Sequence, residues 1–195
     1  MTSFDSNLEM ATFAGGCFWC IESAFAHLEG VKKVRSGFTG GDFPNPTYED
    51  LHQKDTGHYE AVRVWFDPAT ITYERLLEIY WLQIDPTDPD GQFADRGPEY
   101  RTAIFYHNQA QKELAELSKK QLNESGKYEK KIVTEIKAAN EFYEAEDYHQ
   151  QYAQKYPSRY SAYRDGSGRA GYIEKTWGKN KPEFNFDKRT TSQSN

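Results

Sequence analysis

Apolar and polar positions change their period several times along the chain, and each change marks an element. Residues 9–14 read as a short strand ended by Gly15-Gly16. Across 17–28 apolar residues fall at Cys17, Ile21, Ala24 and Leu28, the stripe of a helix that Gly30 stops. Residues 31–39 form a strand closed by Gly40-Gly41, and 42–57, with Pro44 and Pro46, a long loop. A strand over 58–67 alternates so that Glu60, Val62, Val64 and Phe66 share one face. Tyr73, Leu76, Leu77 and Tyr80 have the i, i+3, i+4, i+7 spacing of a helix over 73–82. A loop rich in Asp, Pro and Gly covers 85–98, and a strand 101–106. Asn108, with Gln111 three residues on, has the form of a capping box for a helix to about 122. A strand over 131–137 and a helix over 146–155 complete the pattern.

The first six elements run β-α-β-β-α-β. That order predicts an α+β domain, a ferredoxin-like split-βαβ two-layer sandwich with a mixed sheet. Residues 1–155 read as the packed domain and 156–195 as a mostly irregular C-terminal wrap or tail. Within that tail, 165–171 reads as flexible and 188–195 as frayed. No repeat of 20–50 residues is present.

Composition narrows the function. The 195 residues carry a formal net charge of −6, which argues against a nucleic-acid or anionic-membrane partner. An aromatic fraction of 15% is too high for a disordered chain. No window approaches a transmembrane span, and the acidic start lacks a basic and an apolar leader segment. The expected compartment is the reducing cytoplasm. Two cysteines, Cys17 and Cys20, are too few for a disulfide framework or a four-cysteine zinc site.

Those two cysteines carry the clearest chemistry. Gly15-Gly16-Cys17-Phe18-Trp19-Cys20 leaves a strand and opens a helix. The free N–H groups and positive dipole end there favour a thiolate, so Cys17 is expected to have a lowered pKa. The spacing offers a nucleophile with a resolving thiol one turn away. Both could instead be small core residues, or a thioredoxin-type dithiol. They could also form half of a zinc site, although the five histidines make no H-x₃₋₅-H pair. Phe18 and Trp19 would wall an apolar pocket beside the sulfur, suited to a thioether or a methyl group.

Glu60, at the end of an apolar strand face, would be a general acid if buried. On spacing alone an exposed strand-end acid is favoured. Tyr48 and Tyr100 sit at loop edges and do not stand out among 14 tyrosines. His149 reads as a capping or surface residue. The loop at 85–91 fails as a calcium site, because Gly97 falls where a bidentate Glu is needed.

Several segments together are similar to the peptide methionine sulfoxide reductase A family. They are Gly16-Cys17-Phe18-Trp19, Pro46-Thr47-Tyr48, Thr56-Gly57-His58-Tyr59-Glu60-Ala61-Val62, Asp95-Arg96-Gly97 with Tyr100-Arg101, and Ala145-Glu146-Asp147-Tyr148-His149-Gln150-Gln151-Tyr152. They spread over 9–157 in the family's order. The resemblance implies reduction of methionine S-sulfoxide, free or in proteins, as a repair activity. It makes Cys17 the nucleophile and Glu60 the proton donor, with Tyr48 and Tyr100 hydrogen-bonding the sulfoxide oxygen. It places Phe18 and Trp19 on the substrate methyl group and Asp95 near the substrate backbone. A Cys17 sulfenic acid would condense with Cys20 to a disulfide, and thioredoxin or a similar dithiol would reduce it. The expectation includes no cofactor or metal, no nucleic acid or membrane, and a monomer. The chain departs from one family pattern, since no cysteine follows Cys20, and Glu99 stands where Gln is frequent. The competing reading is a general thiol–disulfide oxidoreductase. The lack of Gly-Pro between the cysteines weighs against it.

Overall fold

The computed structural model describes residues 7–178 and 184–186. The elements are β1 (Glu9–Gly15), α1 (Phe18–Phe25), β2 (Val31–Thr39), α2 (Tyr48–Gln53), β3 (Tyr59–Phe66) and α3 (Tyr73–Gln83). There follow β4 (Gly91–Gln92), β5 (Asp95–Arg96), a 3-10 turn (Pro98–Tyr100), β6 (Thr102–Tyr106) and α4 (Gln109–Glu124). The chain continues through β7 (Glu135–Ala138), β8 (Phe142–Glu144), α5 (Tyr152–Lys155), α6 (Pro157–Gly166) and α7 (Arg169–Thr176).

Six strands form one mixed sheet in the order β7-β6-β1-β3-β2-β8. β3 is antiparallel to both β1 and β2, so those two run the same way with β3 between them. Among the described residues only the β6–β7 pairing is parallel. Strand alternation divides the side chains. Phe13, Val62, Val64, Phe66 and Ile104 face the helices in the main core, while Ala14, Tyr59, Ala61, Ala103 and Phe105 form a smaller cluster on the opposite face. The main core is aromatic at its centre: Phe13 stacks on Phe25 at 5.2 Å and on Tyr80 at 5.0 Å. Each such ring contributes about 1.5–3 kcal/mol by burial. Tyr80 and Trp81 keep their polar ends satisfied, on the Ala14 carbonyl at 2.8 Å and the Ser118 hydroxyl at 2.9 Å.

The long elements fall where periodicity places them; the differences have local causes. The loop expected over 42–57 contains α2, begun by a complete Thr47–Asp50 capping box. Asn108 caps α4 as expected, but the Gln111 side chain accepts from the His107 N–H and donates to the Met10 carbonyl, so the box is half formed. The strand expected from 131 begins only at Glu135, because Val133 N–H donates to the Pro86 carbonyl rather than to a ladder partner. The helix expected over 146–155 shrinks to α5, since Gln151 is left-handed with φ 55° and its N–H is held by Glu22 at 3.0 Å.

The largest correction concerns the chain after 156. An irregular wrap was expected there, and α6 and α7 occupy most of 157–176 instead. Pro157 starts α6 at a position where its missing N–H is no loss. Fully buried Arg169 and nearly buried Trp177 anchor the segment to the domain. The segment at 165–171 read as flexible is the junction of the two helices. The expected frayed end at 188–195 lies outside the described residues.

Candidate active site

β1 delivers the chain to Gly16, which turns it with φ +77° into Cys17 at the N-cap of α1. A Cβ on Gly16 would stand 2.6 Å from Gln92 Cβ and 2.8 Å from Arg169 Nη2. Only glycine fits both the angle and the space. Cys17 and Cys20 are both buried free thiols one turn apart, with the Cys20 N–H on the Cys17 carbonyl at 3.2 Å.

Glu60 comes from β3, beside Ala61, which pairs with Ala14 of β1. It is 1% exposed, so the exposed strand-end expectation is wrong. Its Oε2 accepts from the Phe18 N–H at 3.0 Å, immediately next to the nucleophile candidate. Burial pushes this carboxyl well above its usual range, against the opposing pull of that hydrogen bond, and nearby Asp95 and Glu99 add to the rise. The protonated form of Glu60 is therefore favoured relative to an exposed carboxyl.

The same hydrogen bond alters the fate of Cys17. The first N–H of α1 is spent on Glu60 and is unavailable to a thiolate. Burial pushes the Cys17 thiol well up, reinforced by its hydrogen bond to Cys20 and by Glu60. The expected lowering at Cys17 is thus overturned in the free protein. Cys20 moves the other way, to about 7, mainly because Cys17 hydrogen-bonds to it, with Arg169 and Tyr160 assisting.

Tyr48 opens α2, its own N–H donating to Glu146 at 3.1 Å. Its ring lies 6.2 Å from Phe18, and its hydroxyl hydrogen-bonds that of Tyr100. Burial raises both phenols, and Glu60 raises them further. Asp95, in the β4–β5 hairpin, accepts from the Tyr163 hydroxyl, which also hydrogen-bonds Cys17. Phe18 is buried, and Trp19 stacks on Tyr152 at 3.8 Å with the planes 7° apart. Every residue singled out from the sequence is therefore in the same neighbourhood.

Others were missed. His149 is 1% exposed, not on the surface: its Nδ1 accepts from Trp19 Nε1 at 3.1 Å, and burial lowers it to about 4. It is the neutral acceptor that fixes the indole. Tyr160 and Tyr163 on α6 have the same i, i+3 spacing as the cysteines and meet Cys20 and Cys17 respectively. That spacing was the one available signal, and it was masked by the many other tyrosines. Arg169 carried no signal.

A buried dithiol beside a buried carboxyl, walled by aromatic rings, defines a thiol-based redox site. Comparison with known proteins agrees. The family model "Peptide methionine sulfoxide reductase" matches residues 9–181. The peptide methionine sulfoxide reductase MsrA of Bacillus licheniformis is 57% identical over 175 residues, covering 90% of this chain and 97% of that one. Reduced Mxr1 from Saccharomyces cerevisiae superposes with a TM-score of 0.71 at 31% identity, over 80% of this chain and 90% of that one. Mxr1 in complex with Trx2 matches with a TM-score of 0.53 at 25% identity, over 78% and 90%. The chain belongs to the peptide methionine sulfoxide reductase family.

Proposed function

We propose that this protein reduces the S epimer of methionine sulfoxide, free and in proteins, to methionine. One observation carries the reading: the buried Glu60 carboxyl is hydrogen-bonded to the residue following Cys17, so acid and nucleophile address the same atom pair. The Cys17 sulfur attacks the sulfoxide sulfur while Glu60 protonates the oxygen, which becomes more basic as the S–O bond weakens. The thiol proton of Cys17 replaces the one Glu60 gives up. Methionine leaves, and Cys17 retains the oxygen as a sulfenic acid. Cys20 then condenses with it, releasing water and forming the Cys17–Cys20 disulfide.

Tyr48 and Tyr100 hold the sulfoxide oxygen, Phe18 and Trp19 face the methyl group, and Asp95 takes the substrate backbone. Asp95 and Cys17 are bridged by Tyr163, so substrate displaces that hydroxyl. An external dithiol of the thioredoxin type closes the cycle. The Mxr1–Trx2 complex supports this, as does the need for a reducing compartment such as the cytoplasm. We expect the protein to act as a monomer. The β6-β1-β3-β2 order supports a ferredoxin-like split-βαβ reading of the sheet.

The test is a reaction without reductant. With excess methionine S-sulfoxide the wild type makes about one methionine per chain and loses two hydrogens, because the disulfide stops the cycle. Cys20→Ser still makes methionine but retains a sulfenic acid. The R epimer gives no methionine. Methionine formation by Cys17→Ser would overturn the assignment, and insulin reduction without sulfoxide reduction would establish the general oxidoreductase instead.

A further inference from the structure

Arg169 is the least expected charge in the molecule. It is fully buried, at the start of α7. Its Nη2 donates to the Gly15 carbonyl at 2.9 Å and its Nη1 to the Gln83 carbonyl at 2.6 Å. The guanidinium therefore lies against the turn that leads into the cysteine pair, with Phe93 under it at 4.8 Å. Among the described residues no carboxylate forms an ion pair with it, and its buried Nε has no hydrogen-bond partner. A buried cation without a carboxylate partner is costly, and a negative charge developing nearby would be stabilised by it.

We propose that Arg169 is a positioning residue for the resolving step, its guanidinium serving as counter-charge to the Cys20 thiolate as that sulfur attacks the Cys17 sulfenic acid. In this step the S–S bond forms and the S–O bond of Cys17 breaks. Cys20 sulfur is oxidised and Cys17 sulfur reduced. The departing hydroxide leaves as water, with the proton that the Cys20 thiol released earlier. The charged and titratable groups facing Cys20 are Cys17, Tyr160, Asp95, Glu60 and Arg169. Of these only Arg169 is a cation, and it favours the thiolate. The proposal rests on the sulfoxide reductase reading and adds a residue that tunes its second step.

Arg169→Gln and Arg169→Lys are mixed with excess methionine sulfoxide, and methionine and free thiols are followed in time. Removing the cation lowers the thiolate fraction roughly tenfold per unit of pKa rise, offset about threefold by greater nucleophilicity. Because wild-type Cys20 sits at about 7 and is already partly ionised at neutral pH, thiol loss in Arg169→Gln is expected to be about twofold slower there and about threefold slower at pH 6 and below. The defect closes at alkaline pH, where Cys20 is ionised in either protein. Sulfenic acid, trapped by a dione reagent, accumulates meanwhile, and Arg169→Lys restores part of the rate. Wild-type thiol loss in Arg169→Gln at neutral pH, or an equal defect at all pH values, overturns the proposal.

Should Arg169→Gln not fold, the thiolate ultraviolet absorbance of Cys20 is titrated in Cys17→Ser and in Cys17→Ser/Arg169→Met, which keeps much of the length of the side chain and removes its charge. An unchanged midpoint overturns the proposal. A wild type that makes no methionine would sink the sulfoxide reductase reading, yet this titration would still decide whether Arg169 acts on Cys20.

Discussion

A carboxyl at 1% exposure inside an apolar wall cannot keep its charge cheaply, and burial shifts Glu60 toward its protonated form. The same residue therefore trades stability for reactivity. Its folded pKa is raised, so its contribution to stability is full below the unfolded value and is lost as pH rises through the folded one. At neutral pH Glu60→Gln, which can still accept the Phe18 N–H, is expected to be more stable than wild type. Each kcal/mol gained raises Tm by about 2–4 °C, measured by thermal unfolding. Its first-step rate is expected to fall by about 10²–10⁴, measured as methionine formed in a single turnover. In the wild type that rate declines as pH rises through the Glu60 pKa, and in Glu60→Gln this decline disappears. An unchanged rate would remove Glu60 from the acid role.

At the scale of the element, the Gly15–Gly16 turn joins β1 to α1 in a space closed on three sides by Gln92, Arg169 and Ile21. Gly16→Ala forces a residue with a Cβ to φ +77° and presses it onto Gln92 Cβ. The expected loss is on the order of 1–3 kcal/mol, seen as a lower denaturation midpoint, with slower methionine formation because Cys17 is displaced. The turn was legible beforehand, since paired glycines before an apolar stripe have few other uses. The α2 cap was also written in the chain, as Thr47 with Asp50 three residues on, but Pro44 and Pro46 nearby favoured a loop. What periodicity could not show was that α2 aims the Tyr48 ring at Phe18, because that depends on where Glu146 holds the Tyr48 N–H.

The whole molecule assembles its site from segments far apart in sequence. β1 and α1 bring the sulfurs, β3 the acid, α2 and the 3-10 turn the phenols, α6 the hydroxyls that hydrogen-bond the sulfurs, and α7 the arginine that lies against the turn before them. Deleting the chain from 157 removes Tyr160, Tyr163, Arg169 and Trp177. The truncated protein is expected to lose several °C in Tm, because buried Trp177 alone is a loss of about 3–5 kcal/mol on large-to-small scales. It also leaves Cys17 and Cys20 open to solvent, so a bulky thiol reagent is expected to react with both faster than in the full chain. Equal reactivity would show that α6 and α7 do not cover the pair.

Local physics settled much of this from the sequence itself. The strand and helix periods, the glycine turn, the dithiol spacing and the aromatic pair beside it all depend on neighbours within a few residues. The segments shared with the family identified the chemistry. Burial and charge balance depend on residues distant in the chain, and these only the tertiary structure decided. It hid Glu60 and His149, spent the α1 N-terminus on a carboxyl, raised Cys17 rather than lowering it, and shaped the region after 156 into helices. It placed one unpaired arginine beside the cysteines, where no local pattern could announce it.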